Sequence, residues 1–289
     1  MKKIYFLVIL SVFIQSKNFA AKVDTINIPS KVMNKDYKAV IVLPASYSKN
    51  TSPYPVLYLL HGGFGHFDDW IKKTPANLIQ NLSDQYNLII VMPEGESFSY
   101  YINSAVSKES QFETYITKEV IEKIDNSYRT IKDRKGRAIT GLSMGGYGSL
   151  YLSARHPDLY CAAESMSGAL NPDMREWKFP PASMEGIKKE FESILGPIET
   201  NPKAYSDASV INMTDKIKAA NLKLIIDDGV DDPFIDVNRE LHRRLIFNGT
   251  PHDYSERPGT HNWEYWQNSL PYHVLFFSKV FKENGSALK

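Results

Sequence analysis

The sequence has little of three features, and each scarcity excludes a class of protein. It contains one cysteine, Cys161, in 289 residues, so no disulfide forms within the chain and a disulfide scaffold is excluded. Cys161 lies in a strand-like stretch of small residues, which predicts a buried, unreactive thiol. The apolar run Ile4–Ile14 is shorter than the roughly 20 residues that a membrane-spanning helix needs. With 34 basic and 33 acidic residues the net charge is +1, so we predict no nucleic-acid partner.

The N-terminus has the three parts of an export signal. Lys2 and Lys3 precede the apolar run, and the small residues Ala20 and Ala21 offer a cleavage site. This order is typical of a secretory signal peptide. We therefore predict a signal peptide at residues 1–20, no membrane anchor after processing, and a periplasmic or secreted location.

The apolar segments of the remaining chain predict an α/β fold. Most are nearly continuous rather than alternating, as in a parallel sheet covered on both faces. The predicted strands are Tyr37–Leu43, Pro55–Leu60, Leu88–Met92, Arg137–Thr140, Tyr160–Met166 and Leu222–Ile226. The predicted helices are Phe112–Ile124, Tyr147–Ala154 and Ile235–Ile246. This alternation predicts a doubly wound, mostly parallel α/β sheet in a single domain, residues 21–289. The strands before His61 have no helix between them and are expected to form an antiparallel edge.

One segment does not fit the alternation of strands and helices. Residues 171–207 contain five prolines and several aromatic residues. We expect an irregular insertion after the core strands, acting either as a lid over a site or as a surface excursion.

The strongest local motif is Gly141-Leu142-Ser143-Met144-Gly145, which follows a predicted strand and precedes a helical run. A serine on such a sharp turn exposes its hydroxyl, and the residues two positions away must lack side chains so that backbone segments can pass. Gly141 and Gly145 meet this need. A glycine-rich turn with an idle serine is the alternative, but the context favours Ser143 as a nucleophile.

A serine nucleophile needs a base, and the base needs an acid to orient it. In this fold class the chain order is serine, then acid, then histidine. Of the seven histidines, His61 and His66 precede the serine. His261 lies in a loop after the strand-like run Asp253–Glu256 and is the predicted base. The others occupy predicted elements or their ends, namely His156, His242, His252 and His273.

Four aspartates after the strand Leu222–Ile226 compete for the role of the acid. Asp227 and Asp228 lie at the strand end, whereas Asp231 and Asp232 lie in the loop that could reach His261. Asp232 could also cap the next helix, since a proline follows it. Spacing does not choose between Asp231 and Asp232.

Attack on an ester carbonyl creates an oxyanion that backbone N–H groups must stabilise. One donor is predicted at Met144, at the start of a helix. The second is expected from the glycine-rich loop that follows His61. Because His61 and His66 have no further ligand nearby in the sequence, they would make a weak metal site, and we expect neither a metal nor a cofactor.

Taken together, these motifs resemble the putative-esterase family of α/β-hydrolases, which contains tributyrin, feruloyl and S-formylglutathione esterases and mycolyltransferases. The resemblance extends over about residues 35 to 282. The motifs that carry it are Leu59-Leu60-His61-Gly62-Gly63 with Trp70, Val91-Met92-Pro93-Glu94, Gly141–Gly148, Ser167-Gly168-Ala169, Gly229-Val230-Asp231-Asp232 and Pro258–Trp263.

The resemblance implies roles for individual residues. It makes Ser143 the nucleophile and His261 the base, and it selects Asp232 as the acid, because the family's acid loop has a glycine, two variable residues and the aspartate. It assigns the second oxyanion N–H to Gly63. The expected substrate-binding residues are Trp70, Tyr101 and Trp263. These relatives often have a Trp–Tyr pair where this sequence has Tyr100-Tyr101, so the pocket shape is expected to differ.

Three functions follow from this interpretation. The first is a secreted serine carboxylesterase that hydrolyses short-chain acyl or aryl esters of acetyl or feruloyl type, on small molecules or carbohydrates. The second is an acyltransferase that uses the same triad to pass the acyl group to a sugar or lipid hydroxyl. The third is a non-catalytic carbohydrate- or partner-binding protein, which is disfavoured because every triad position is filled.

Overall fold

A single mixed sheet forms the centre of the computed structural model, which describes residues 21–288. Within these residues the strands run in the order β1-β2-β4-β3-β5-β6-β7-β8. β1 pairs with β2 and β2 with β4 antiparallel, and the remaining neighbours are parallel. The bounds are β1 Lys22–Ser30, β2 Lys35–Leu43, β3 Val56–Leu60, β4 Ile89–Pro93, β5 Arg137–Gly141, β6 Ala162–Met166, β7 Lys223–Gly229 and β8 Asp253–Arg257. The predicted signal peptide lies outside the described residues.

Helices cover both faces of this sheet. Side chains of β3 alternate between two apolar clusters, with Tyr58 in one and Leu57 and Leu59 in the other. Both faces of the strand are therefore covered by apolar side chains. This explains why the central strands read as continuous apolar runs, and it confirms the predicted α/β class. The helices are α1 Asp69–Lys72, α2 Leu78–Tyr86, α3 Phe112–Thr114, α4 Ile121–Ser127, α5 Met144–Arg155, α6 Pro181–Leu195, α7 Pro202–Ala208, α8 Thr214–Ala220, α9 Ile235–Phe247 and α10 Trp263–Glu283.

The antiparallel edge differs from the one expected. It consists of β1 and β2, whereas β3 lies in the middle of the sheet, parallel to both of its neighbours. The five residues of β3 are all buried, which is the mark of a central strand. β1 was not predicted, because as an edge strand it buries only alternate residues near its end and contains several polar side chains.

The insertion after β6 is largely helical rather than irregular. It contains α6 and α7, and a proline stands in the first turn of each. Proline at that position costs no hydrogen bond and has the helical φ already. Two of the five prolines that suggested irregular structure, Pro181 and Pro202, therefore begin helices.

Two further expectations concern residues outside the site. Cys161 is buried, its thiol lies 3.2 Å from the carbonyl oxygen of Arg137, and burial raises the pKa of the thiol to about 11. The prediction that the cysteine is buried is thus confirmed, and the raised pKa of its thiol is consistent with the low reactivity expected of it. No helix between residues 21 and 288 is long and apolar enough to cross a membrane.

Candidate active site

Ser143 occupies the sharp turn between β5 and α5. Its backbone has φ 54° and ψ −116°, a left-handed conformation that is costly for a residue with a side chain. The Ser143 N–H donates to the carbonyl of Met166 at 2.8 Å, and its own carbonyl accepts from Tyr147. The surrounding hydrogen bonds therefore hold the strained residue in place.

The glycines on either side of Ser143 are required by close packing of backbone. A Cβ on Gly141 would lie 2.6 Å from the carbonyl carbon of Gly145, and a Cβ on Gly145 would lie 2.6 Å from the carbonyl oxygen of His61. Real Cβ atoms do not approach backbone this closely, so only glycine fits at either position. The structure thus shows the steric requirement for glycine that the motif Gly141–Gly145 predicts.

His261 lies between the serine and an aspartate. Its Nε2 is 3.0 Å from Ser143 Oγ, and its Nδ1 is 2.8 Å from Asp232 Oδ2. A carboxylate can only accept, so Nδ1 carries the proton and Nε2 is left to accept the serine hydroxyl. The Asp232 side chain is fully buried and that of His261 is 18% exposed. The imidazole can therefore take a proton from Ser143 while remaining reachable from the pocket.

The structure places only one of the two loop aspartates against His261. Asp232 is buried, and its second oxygen accepts the N–H of Phe234 at 2.9 Å. Asp231 is exposed and contributes only backbone hydrogen bonds, with the carbonyl of Gly259 and the hydroxyl of Thr260, among the described residues. Asp232 thus both orients the histidine and organises the turn before α9.

The strand-end aspartates have different surroundings. Asp228 is fully buried and accepts the N–H of Gly229 at 2.8 Å. Burial and the nearby charge of Asp232 raise the pKa of Asp228 well above its usual range. Asp227 instead contacts Arg257 and the hydroxyl of Tyr265 at 2.5 Å, and it makes no contact with His261. The direction of this shift favours the protonated form of Asp228, which reduces the repulsion between the two neighbouring carboxyl groups.

A buried histidine fixes the loop that follows β3. His61 Nε2 accepts the N–H of Gly95 at 2.8 Å, which leaves Nδ1 as the donor to the carbonyl of Gly62, also at 2.8 Å. Gly65 N–H donates to the same carbonyl at 3.2 Å. In a trans peptide the C=O and the following N–H point in opposite directions. Holding the Gly62 carbonyl therefore directs the Gly63 N–H away from these donors, and Gly63 lines the pocket.

The two predicted oxyanion donors lie side by side. A Cβ on Gly63 would be 3.9 Å from the Cβ of Met144, and both residues line the pocket that contains Ser143. Neither the Gly63 N–H nor the Met144 N–H donates to another residue between positions 21 and 288. Met144 begins α5, where the helix dipole adds positive potential. Both amides are thus available to a developing oxyanion.

We expect His61→Gln to lower kcat about 10- to 100-fold with little change in KM, because the oxyanion amide is misplaced while the pocket is kept. His66→Gln is the matched control, since the side chain of His66 is 59% exposed and does not bond to the glycine loop. Steady-state kinetics with a p-nitrophenyl ester, together with melting temperatures, provide the measurement. Equal losses in both variants would contradict this role of His61.

A pocket of about 380 Å³ opens above Ser143. The insertion supplies Trp177, Phe179 and Ile187, so it forms a wall of the site rather than a surface excursion. Lys178, within the insertion, donates its N–H to the carbonyl of Pro233 at 3.1 Å, which ties this wall to the acid loop. The other lining residues are Gly62, Gly63, Phe64, Asp69, Lys73, Phe98, Tyr100, Leu142, Ser143, Met144, Phe234, His261, Asn262, Trp263 and Trp266.

Of the three expected substrate-binding residues, only Trp263 lines this pocket. Trp70 is fully buried behind it, donates to the carbonyl of Leu60 at 3.0 Å and packs edge-on against Trp263. Tyr101 is also fully buried, and its hydroxyl donates to the carbonyl of His61 at 3.0 Å. Trp70 and Tyr101 therefore support the site from behind, and Tyr100 faces the pocket in place of Tyr101.

Sequence reasoning did not single out several pocket residues. Phe234 packs against the ring of His261 at 4.9 Å, and Trp266 packs at 4.8 Å. Trp266 belongs to the first turn of α10, three residues after Trp263, and the helical period places both on the same face. Phe234 directly follows the Asp-Pro pair of the acid loop. The spacing of Trp263 and Trp266, and the position of Phe234 next to the Asp-Pro pair, were the sequence features that could have identified these pocket residues.

The remaining histidines lie away from this site. His242 and His252 contact each other at 2.8 Å, His156 contacts Glu113 at 2.8 Å, and His273 is buried against Glu164 at 2.6 Å. Within residues 21–288, no group of three or more His, Cys, Asp or Glu side chains is placed to hold a metal ion.

A doubly wound sheet with a serine on the turn after a central strand, contacted by a histidine from a later loop, defines an α/β-hydrolase that cleaves carboxylic esters. The chain belongs to the putative esterase family, whose model matches residues 30–277. This places it among enzymes rather than non-catalytic binding proteins.

Similar proteins of known activity are consistent with membership of this family. An acetyl esterase of Caldicellulosiruptor saccharolyticus is 26% identical over 273 residues, covering 88% of this chain and 97% of the relative. The diacylglycerol acyltransferase/mycolyltransferase Ag85B of Mycolicibacterium smegmatis is 26% identical over 86% of this chain and 82% of its own length. The solved structure of a ferulic acid esterase superposes with a TM-score of 0.76 at 29% identity, over 91% of this chain and 100% of that one.

Proposed function

We propose that this protein is a secreted serine carboxylesterase with the triad Ser143, His261 and Asp232. The observation that carries the proposal is the chain of two hydrogen bonds, 3.0 Å from Ser143 Oγ to His261 Nε2 and 2.8 Å from Nδ1 to Asp232. This arrangement is the one that activates a serine hydroxyl at neutral pH.

The reaction follows from the positions of these groups. Ser143 Oγ attacks the ester carbonyl as His261 takes its proton, and the Gly63 and Met144 amides stabilise the oxyanion. His261 then donates the proton to the departing alcohol, leaving an acyl group on Ser143. Water, deprotonated by His261, attacks this acyl-enzyme, and collapse of the second oxyanion releases the acid and restores the serine.

The pocket walls support acyl or aryl groups of modest size. Aromatic rings of Phe98, Tyr100, Phe179 and Phe234 surround the space beside Ser143, and such rings favour a planar aryl group through stacked or edge-on contacts. The relatives named acetyl esterase and ferulic acid esterase support esters of acetyl and feruloyl type. The export pattern at residues 1–20 supports a periplasmic or secreted enzyme and ester groups on carbohydrates as its natural targets.

An ester panel on the mature protein tests this proposal. We expect turnover of p-nitrophenyl acetate through octanoate and of methyl ferulate, with Phe179→Ala lowering kcat/KM for methyl ferulate more than for the acetate. Phe179 is partly exposed, so truncating its side chain removes part of the pocket wall without creating a cavity in the hydrophobic core. Phe247→Ala is the control, because Phe247 is 89% exposed and lies outside the pocket. Lack of turnover of every ester would contradict the proposal.

Acyl transfer is the second candidate function, favoured by the similarity to mycolyltransferase Ag85B. Both functions share the acyl-enzyme and differ only in whether water or a hydroxyl group receives the acyl chain. Product analysis with and without a sugar acceptor separates them. Accumulation of acylated sugar in place of free acid would favour transfer over hydrolysis.

A further inference from the structure

A second cleft adjoins the pocket that contains Ser143. It has a volume of about 670 Å³, which is within the range of small-molecule sites. Phe98 lines both spaces, so the two meet at this side chain. Helix α6 also borders both, because Ile187 faces the first pocket while Glu190 and Ser193 line the cleft.

The cleft is tied to the oxyanion loop through the backbone. Ser97, in the cleft wall, accepts the N–H of Phe64 through its carbonyl at 2.6 Å. Phe64 directly follows Gly63 and packs against Phe98 with ring centroids 5.6 Å apart. One hydrogen bond and one ring contact therefore join the wall of the cleft to the loop that carries the Gly63 N–H.

The lining of the cleft is rich in hydroxyl and carboxylate groups. The groups that bear on ligand binding are the carboxylates of Glu96, Glu109 and Glu190, the hydroxyl groups of Tyr37 and Ser110, and the ammonium group of Lys35. Carboxylates accept from the hydroxyl groups of a sugar, and serine and tyrosine hydroxyls donate or accept as required. The catalytic pocket, by contrast, is lined mainly by aromatic and aliphatic side chains.

Two of these hydroxyl groups have hydrogen-bonding capacity to spare. Tyr37 is 5% exposed, and its hydroxyl donates only to the thioether of Met33, at 3.7 Å, among the residues from 21 to 288. Burial and the nearby carboxylates Glu96 and Glu94 raise the pKa of Tyr37 to about 12, so it keeps its proton. Ser110 Oγ is shielded from solvent and has no hydrogen-bond partner in the same part of the chain.

The charge of the cleft limits the class of ligand. The carboxylates of Glu96, Glu109 and Glu190 face one ammonium group, Lys35, which already pairs with Glu96. The resulting negative potential disfavours phosphates, sulfates and uronic acids. A neutral chain of sugar residues meets the donors and acceptors without this penalty.

We propose that this cleft is a subsite for neutral sugar residues of a carbohydrate whose ester group is bound at Ser143. The inference rests on the proposed function and adds the part of the substrate that lies beyond the ester. The ester-bearing sugar occupies the space next to Ser143, and the following residues pass Phe98 and bond to Tyr37 and Glu190. Such binding makes an oligosaccharide ester a better substrate than the same acyl group on a small alcohol.

The test compares an acetylated neutral oligosaccharide with p-nitrophenyl acetate in wild type, Tyr37→Phe and Glu190→Gln. We expect the ratio of kcat/KM for the oligosaccharide to that for the small ester to fall about 3- to 10-fold in each variant, the usual effect of losing one hydrogen bond. Glu185→Gln is the matched control, because Glu185 is exposed on α6 and outside the cleft. Its ratio should equal that of wild type.

The outcomes separate this inference from the proposed function. Unchanged ratios in both variants, with normal ester hydrolysis, would overturn the subsite and leave the esterase intact. A second outcome would also overturn the subsite. In it, Ca²⁺ raises the melting temperature of wild type, Glu190→Gln abolishes this effect, and neither variant changes the oligosaccharide ratio. That result would show that a cation, not a sugar, occupies the cleft. If the wild-type protein hydrolyses no ester, that result contradicts the proposed function itself.

Discussion

Ser143→Ala is expected to lower kcat for a p-nitrophenyl acyl ester by about 10³-fold or more, because no other group can form the acyl-enzyme. Only Oγ is lost, and the turn is held by backbone hydrogen bonds that alanine retains. The melting temperature should therefore stay close to that of wild type. Stopped-flow or steady-state assays at saturating substrate measure the loss in kcat directly.

The same variant should no longer be labelled by a fluorophosphonate probe, which reacts with activated serines. Ser52→Ala is the matched control, since Ser52 is exposed in the loop before β3, and it should be labelled and active like wild type. Undiminished activity of Ser143→Ala would refute the mechanism.

Asp232→Asn should lower kcat about 10⁴-fold, because an amide at this position no longer holds the proton on His261 Nδ1 and the imidazole presents the wrong tautomer to the serine. Asp231→Asn changes the neighbouring residue in the same way. Asp231 is exposed and its side chain makes no contact with His261, so its kinetics should match those of wild type.

The pair of variants decides which aspartate acts. A loss confined to Asp231→Asn, or equal losses in both, would contradict the assignment of Asp232. The charge of Asp232 is one of the causes that raise the pKa of the neighbouring Asp228, so removing that charge favours the Asp228 carboxylate, which can then partly replace the lost acid. The kcat of the double variant Asp228→Asn/Asp232→Asn should then be lower than that of Asp232→Asn.

The sequence was sufficient for features that depend on local sterics or on strand order. β3 to β7 were predicted within two residues at their starts, because strands buried on both faces leave continuous apolar runs. The elbow at Ser143 was predictable from the two glycines, since the backbone contacts at Gly141 and Gly145 exclude every other residue. The order of serine, acid and histidine, together with the position of His261 in a loop after a strand-like run, then selected His261 as the base.

Features that depend on long-range packing were not predictable in the same way. Trp70 and Tyr101 look like candidate ligand-binding aromatics in the sequence, yet both bury their rings and use their polar atoms to bond to backbone around His61. Nothing in the local sequence distinguishes Tyr100, which faces the pocket, from Tyr101 behind it. Spacing alone likewise left the choice between Asp231 and Asp232 open; the family resemblance selected Asp232, and the turn after β7 is what places its carboxylate against His261.

The separation of Trp177 and Phe179 from the catalytic groups has an evolutionary consequence. The reacting side chains come from loops that follow β5, β7 and β8, whereas Trp177 and Phe179 belong to a continuous stretch between β6 and α8. Exchanging that stretch between relatives would alter which acyl groups fit beside the serine without replacing Ser143, His261 or Asp232 themselves. New ester preferences can therefore arise in this scaffold by replacing one segment.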